Sequence, residues 1–196
     1  MSRQAERSES TRARLVAAAS ELFAERGYGD VGTEEIVRRA EVTRGALYHH
    51  FADKRDLFRA VHETIEAELA EEIGDRIAAE AEAGTDAREV LAIGARAFLD
   101  ACERPEIARI ALVESPAVLG WVEWREIDER YGLGLVTAAL ELGMESGVLR
   151  RRPVKPLAHL LLGAMGEAGM VIANADDPRA ARREVEPALL GLLDGL

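Results

Sequence analysis

Cysteine is nearly absent from the sequence. Cys102 is the only one in 196 residues, so no disulfide can form within the chain, and the cytoplasm is the expected compartment. A lone cysteine in an apolar helical stretch reads as a small core residue. Proline is missing from the first 104 residues; all six, at positions 105, 116, 153, 156, 178 and 187, come later. Only glycine and turn residues can therefore interrupt helices in the first half. Uninterrupted apolar runs are missing too. The most apolar stretch, "LAHLLLGAMGEAGMVIANA", is broken by His159, Glu167 and several glycines, short of the roughly 18–20 residues a membrane span requires. The opening "MSRQAERSESTRARLV" lacks an apolar signal core, so neither secretion nor membrane association is expected. Strand-like alternation and internal repeats are absent, which makes the expected fold all-α.

The patterns that carry catalysis are equally scarce. The chain has no H-x-x-x-H spacing, no Gly-rich phosphate loop and no G-x-S-x-G elbow, and Cys102 has no neighbouring histidine. His62-Glu63 and the His49-His50 pair remain, but adjacent residues on a helix diverge by about 100°, which suits two contacts better than one metal. No metal, no cofactor and no enzymatic activity are expected.

What the sequence does have is an uneven charge. Formal net charge is -11, yet residues 1–59 hold 11 Lys/Arg against 10 Asp/Glu, while residues 60–196 hold 14 against 26. Only the first segment is suited to approach a polyanion. Within it, "VTRGALYHHFADKRDLF" (42–58) gathers Arg44, Tyr48, His49, His50, Lys54 and Arg55.

Capping signals delimit the helices. Leu15, Ala18, Ala19, Leu22 and Phe23 recur at helical spacing from about Ser10 to Arg26, with Gly27 as C-terminal cap. Thr33 is expected to cap "EEIVRRA", Thr43 to cap "RGALYHHF", and Asp53 to open a long helix from Lys54 into the 70s or 80s. Segments 33–40 and 43–50 lie only a few residues apart, the spacing of a helix-turn-helix with Ile36, Ala40, Val42, Leu47 and Phe51 as its core. Further helices are expected at about 86–102, after Pro105, at 119–146, at 155–174 and at 178–195, about nine in all. Pro187 should kink or split the last.

If 43–50 reads DNA, Arg44 is the best base reader, because its guanidinium can bond guanine O6 and N7 together. Gly45 costs about 1 kcal/mol of helix stability against alanine and fits a close approach to DNA. Tyr48 and His50 suit phosphate, His49 a base or the backbone, and Lys54 a phosphate cradle at a helix start.

Residues 11–58 resemble the N-terminal DNA-binding domain of the tetracycline-repressor (TetR/AcrR) family of bacterial regulators. The resemblance rests on "LVAAASELFAERGY", the "T-E-E-I" opening of the second helix, "V-T-R-G-A-L-Y-H-H-F" and "D-K-R-D-L-F". It covers about a quarter of the chain. It implies DNA contacts from Thr33, Thr43, Arg44, Gly45, Ala46, Tyr48, His50 and Lys54. It also implies a DNA-binding domain at 1–53 and a helical effector-binding and dimerisation domain at 54–196. The last two helices would pair with a partner's, through Gly163, Ala164, Gly166, Ala168 and Gly169 on one and Val185, Ala188, Leu189, Leu192 and Leu193 on the other. A monomer core made of the same residues is the alternative. An effector cavity among the middle helices is expected near Phe98, Ile107, Ile110, Trp121, Trp124, Tyr131 and Met144, for each of which ordinary core packing is the competing role. The carboxylate-rich body biases it toward cationic or apolar effectors. The function implied is a dimeric repressor released from a palindromic double-stranded operator by a small molecule. The alternative is a constitutive or architectural DNA-binding protein without an effector.

Overall fold

The computed structural model describes residues 3–82 and 84–196, and among these no strand occurs. Three helices form the N-terminal head: α1 (Arg3–Arg26), α2 (Thr33–Arg39) and α3 (Arg44–His50). Their shared core is the one the periodicity marks, with Leu15, Ala19, Leu22 and Phe23 of α1 buried against Ile36, Leu47 and Phe51. Helix α1 begins well before the expected Ser10, because nothing in residues 3–9 stops it. It ends at Gly27, whose φ of 86° is the left-handed conformation glycine adopts without cost.

The long α4 (Lys54–Glu80) leaves the head and enters the body. Asp53 caps it, accepting the Asp56 N–H at 2.7 Å. At the head end, Phe58 packs edge-on against Phe23 and Tyr28, with ring centroids 5.3 and 5.1 Å apart. Leu57, Val61, Ile65, Leu69 and Ile73 then carry one buried stripe into the body. There α4 meets α5 (Ala87–Ala101), a π-helical segment (Ile107–Glu114) running straight into α6 (Ser115–Leu119), and α7 (Trp121–Glu145).

Helices α8 (Val154–Ala173) and α9 (Pro178–Asp194) close the body. By length and composition α8 could cross a membrane, with a mean hydropathy of 1.4 over its most apolar window. In this fold it lies against α5, α7, α9 and the π-helical segment. Pro187 does not split the last helix, and α9 runs through it as one helix. That proline is exposed, so the helix carbonyl it leaves without a partner, that of exposed Arg183, can bond water.

Candidate nucleic-acid interface and interior cavity

The turn Ala40–Thr43 sets α3 across α2. Glu41 adopts a left-handed φ of 50°, and Arg14 of α1 bonds its carbonyl at 3.2 Å and its carboxylate at 3.4 Å. Thr43 caps α3 as expected, its hydroxyl accepting the Ala46 N–H at 3.1 Å. Leu47 is fully buried, which fixes the roll of α3 and turns Arg44, Gly45, Tyr48 and His49 outward, while Ala46 and His50 are half-buried.

On this outer face Arg44 lies over the Tyr48 ring, 5.6 Å from its centroid, and its only carboxylate partner among the described residues, Glu34, is 3.7 Å away. An exposed pair at that distance is weak, so the guanidinium is free to exchange it for DNA. Hydrogen bonds from Thr33 and Arg44 hold the Tyr48 hydroxyl below its ordinary pKa. Burial, helped by the nearby His49 and Arg12, lowers the pKa of His50. Around Gly45 the nearest atom to an added Cβ would be the Thr43 hydroxyl, 3.9 Å away. Nothing within the protomer requires a glycine there.

Two expected roles change. Thr33 does not cap α2; Gly32 does, and no side chain bonds the first amides. Thr33 is instead the first residue of α2, half-buried, with its hydroxyl on Tyr48. Lys54, expected as a phosphate contact, is half-buried and turns its ammonium toward the head. Its ammonium donates to the carbonyls of Tyr28 at 2.8 Å and Val31 at 3.0 Å and lies 4.1 Å from the Tyr28 ring centroid. It ties the α1–α2 loop to the start of α4.

The body encloses a cavity of about 80 Å³ between α4, α5, α7 and α8. Leu69, Ile73 and Ile77 of α4, Leu91 and Phe98 of α5, Leu112, Trp124, Leu135 and Val136, and Leu162 and Met165 of α8 line it. Two carboxyl groups, Glu66 and Asp128, interrupt this apolar wall. Desolvation raises the Glu66 pKa to about 8, with the charge of Asp128 adding to it. Desolvation also raises Asp128 to about 6, opposed by Arg125 at 2.7 Å. Beside Glu66 lies fully buried His62, its pKa pushed down to about 4 by desolvation and neither ring nitrogen bonded. Among the described residues no group of three or more His, Cys, Asp or Glu side chains is placed to hold a metal ion.

The π-helical segment links the cavity to the head. Leu112 stands in the cavity wall, and the Ala111 carbonyl accepts the Trp124 indole N–H at 3.1 Å. Two residues beyond Leu112, Glu114 accepts the Tyr28 backbone N–H at 2.7 Å, and Arg109 bonds the Ala24 carbonyl at 3.0 Å. A second tie runs from Arg55 to the carbonyls of Val118 and Leu119 at 3.1 and 2.7 Å, and to Glu123 at 2.6 Å.

Known proteins match both parts of this arrangement. Residues 15–61 match the family described as bacterial regulatory proteins, tetR family, and residues 88–196 match the tetracyclin repressor-like C-terminal domain. This chain belongs to the tetR family. The chain is similar to the transcriptional regulator AcrR of Shigella flexneri, 41% identical over 61 residues, but that match covers 28% of AcrR and 31% of this chain. The TetC protein of transposon Tn10 in Escherichia coli is 30% identical over 82% of this chain and 79% of its own. A TetR-family transcriptional regulator from Pectobacterium atrosepticum, 36% identical, superposes with a TM-score of 0.85 over 100% of this chain and 97% of its own. The chain is thus a DNA-binding transcriptional regulator of the tetR family.

The tetR-type body sorts the remaining expected residues. Phe98 and Trp124 stand in the cavity wall. Ile107, Ile110 and Met144 are buried in the core outside that wall, Tyr131 is half-buried against the core, and Trp121 lies on the surface, 65% exposed. Of the residues expected at a dimer face, Gly163, Ala188 and Leu192 are exposed, and Ala164 and Val185 half-buried. Ala168, Leu189 and Leu193 are buried within the protomer, and Gly166 borders the cavity. Gly169 serves the protomer as well: a Cβ there would come within 3.0–3.1 Å of Cys102, Leu112 and Phe98. Leu160 and Val171 of α8, which the sequence does not single out, are 71% and 46% exposed, and Leu192 of α9 is exposed too. An apolar residue left outside at helical spacing shows itself only once the buried face is known.

Proposed function

We propose that this regulator is a repressor that binds a palindromic operator as a homodimer and is released by a small effector held in the body cavity. The observation that carries this reading is the double duty of α4. Its first turns pack into the head through Leu57 and Phe58, and its later turns supply Leu69, Ile73 and Ile77 to the cavity wall. A cavity of about 80 Å³ is small for an effector of drug size. Filling it pushes on α4 and on Leu112. The two recognition helices of a dimer suit successive major grooves only at about 34–36 Å, so a shift of a few Å weakens binding. A coupling of about 1–3 kcal/mol is enough to switch occupancy.

In the proposed dimer, exposed Leu160, Val171 and Leu192 on α8 and α9 face the partner, and α3 of each protomer enters a major groove. Arg44 reads bases while Thr43, Tyr48, His49 and His50 hold the backbone. A cytoplasmic regulator that needs no cofactor and no membrane partner is part of this proposal.

Selection from a random duplex pool by the full-length protein tests the reading. Recovery of a palindrome with half-sites about one helical turn apart is expected. Salt-labile binding without a consensus would favour an architectural protein instead. The double variant Leu160→Arg, Leu192→Arg should sediment as a monomer and lose the palindrome.

A further inference from the structure

The cavity is apolar except where Glu66 and Asp128 enter it. The two carboxyl groups stand differently. Asp128 has Arg125 beside it at 2.7 Å. Glu66 makes no hydrogen bond among the described residues; Nδ1 of His62 lies 3.9 Å from its Oε1, too far for a bond. His62 is itself fully buried with both nitrogens unbonded, so a whole polar patch behind the wall is unsatisfied inside the protomer. Buried polar side chains are nearly always bonded, and each exception calls for a cause. With 13% of its side chain still accessible, the Glu66 carboxyl opens into the cavity rather than into packed core.

An anion entering here would meet two carboxyl groups, and a hydrocarbon would leave Glu66 unpaired, since only Asp128 has an arginine partner. A cation satisfies Glu66, and the Trp124 and Phe98 rings in the same wall offer it aromatic faces. We propose that the cavity selects an organic cation, an apolar body carrying a protonated amine whose N–H groups bond the Glu66 carboxylate, with Asp128 adding attraction. This rests on reading the cavity as the effector site.

The groups facing Glu66 are His62 on its own helix, Asp128 with Arg125 from α7, and Cys102 at the end of α5. Burial keeps Glu66 protonated at neutral pH, with its pKa at about 8. Binding of the ammonium therefore expels the Glu66 proton to solvent, and the carboxylate left behind accepts the N–H bonds.

Three probes of one shape test the inference on the full-length protein: 4-phenylbutylamine, 4-phenylbutan-1-ol and 4-phenylbutyrate, each titrated by calorimetry in two buffers of different ionisation enthalpy. The amine should bind about tenfold or more tighter than the alcohol, the butyrate weakest, and the amine alone should release a proton. Glu66→Gln should bring the amine down to the affinity of the alcohol and abolish proton release. Unchanged alcohol binding by that variant shows that the cavity is intact, and Asp128→Asn should weaken the amine less. Alcohol or butyrate binding as tightly as the amine, or an amine preference that survives Glu66→Gln, would overturn the cation assignment while leaving the cavity as an effector site. If none of the three binds at millimolar concentration, the cavity reading falls as well.

Discussion

The Glu114 carboxylate accepts the backbone N–H of Tyr28 at 2.7 Å, bonding the end of the π-helical segment to the turn that closes α1. The same carboxylate fills the space beside Gly27, where an added Cβ would collide with its Oε1. Leu112, two residues before Glu114, stands in the cavity wall, so one short segment touches both the cavity and the head.

Removing that carboxylate leaves a part-buried N–H without its partner. Glu114→Ala should destabilise the protein by about 1–3 kcal/mol, the range for a lost bond to a charged group. Gly27→Ala should cost more than glycine replacement in an open turn, since it adds a collision to a φ of 86°. Urea unfolding monitored by circular dichroism checks both. Equal stability of Glu114→Ala and wild type would show that water replaces the contact.

Gly45 separates stability from DNA binding. A Cβ there meets nothing closer than 3.9 Å, so Gly45→Ala should stabilise α3 by about 0.5–1 kcal/mol through helix propensity. In the proposed complex the same methyl stands on the face toward DNA, so operator affinity should fall. Thermal melting and a gel-shift titration of one preparation measure the two effects, and a rise in both quantities would contradict the interface.

Lys54 and Arg44 should fail in different ways. Arg44→Ala should leave the melting temperature nearly unchanged, cost roughly 1–3 kcal/mol of operator binding and relax specificity. Lys54→Met loses two carbonyl bonds and a cation–ring contact inside the head, so melting should drop first. Its effect on DNA affinity should shrink at low temperature, where the head is fully folded. Differential scanning calorimetry beside binding at 10 and 30 °C distinguishes them.

The buried titratable pair near the cavity acts on stability from opposite sides. Glu66 has a folded pKa of about 8 against an ordinary 4.5, so its contribution is intact at low pH and lost as pH rises toward 8. His62, at about 4 against 6.5, must charge below its ordinary value, so its contribution is lost as pH falls from 6.5 toward 4. Glu66→Gln should therefore melt progressively higher than wild type as pH rises from about 5 to 8, with the acid-side loss retained. A constant difference across that range would place the carboxyl in water.

Several of these features are legible in the sequence because they are made by residues a few positions apart. Thr43 and Asp53 cap the helices that follow them, and Gly27 ends α1, since each bonds or frees backbone within one turn. The failure at Thr33 is of the same scale: Gly32, one residue earlier, takes the extended conformation, and the threonine becomes part of the helix. Pro187 forbids one backbone bond but does not forbid a helix whose open carbonyl faces water.

The sequence by itself determined the caps of α3 and α4 and the end of α1, that two helices form a helix-turn-helix, and which side chains α3 can offer to DNA. Those outcomes follow from capping, periodicity and side-chain chemistry, all of which act locally. Only the tertiary structure decided what each buried residue faces. Hydrophobicity marks Ile107, Ile110, Leu135 and Leu162 alike as interior, yet the first two fill core and the last two line a cavity. It likewise decided that Lys54 binds carbonyls and that Glu66 has no hydrogen-bond donor among the described residues. Desolvation and hydrogen bonding depend on neighbours brought together from distant parts of the chain, and those neighbours are set only when the helices pack.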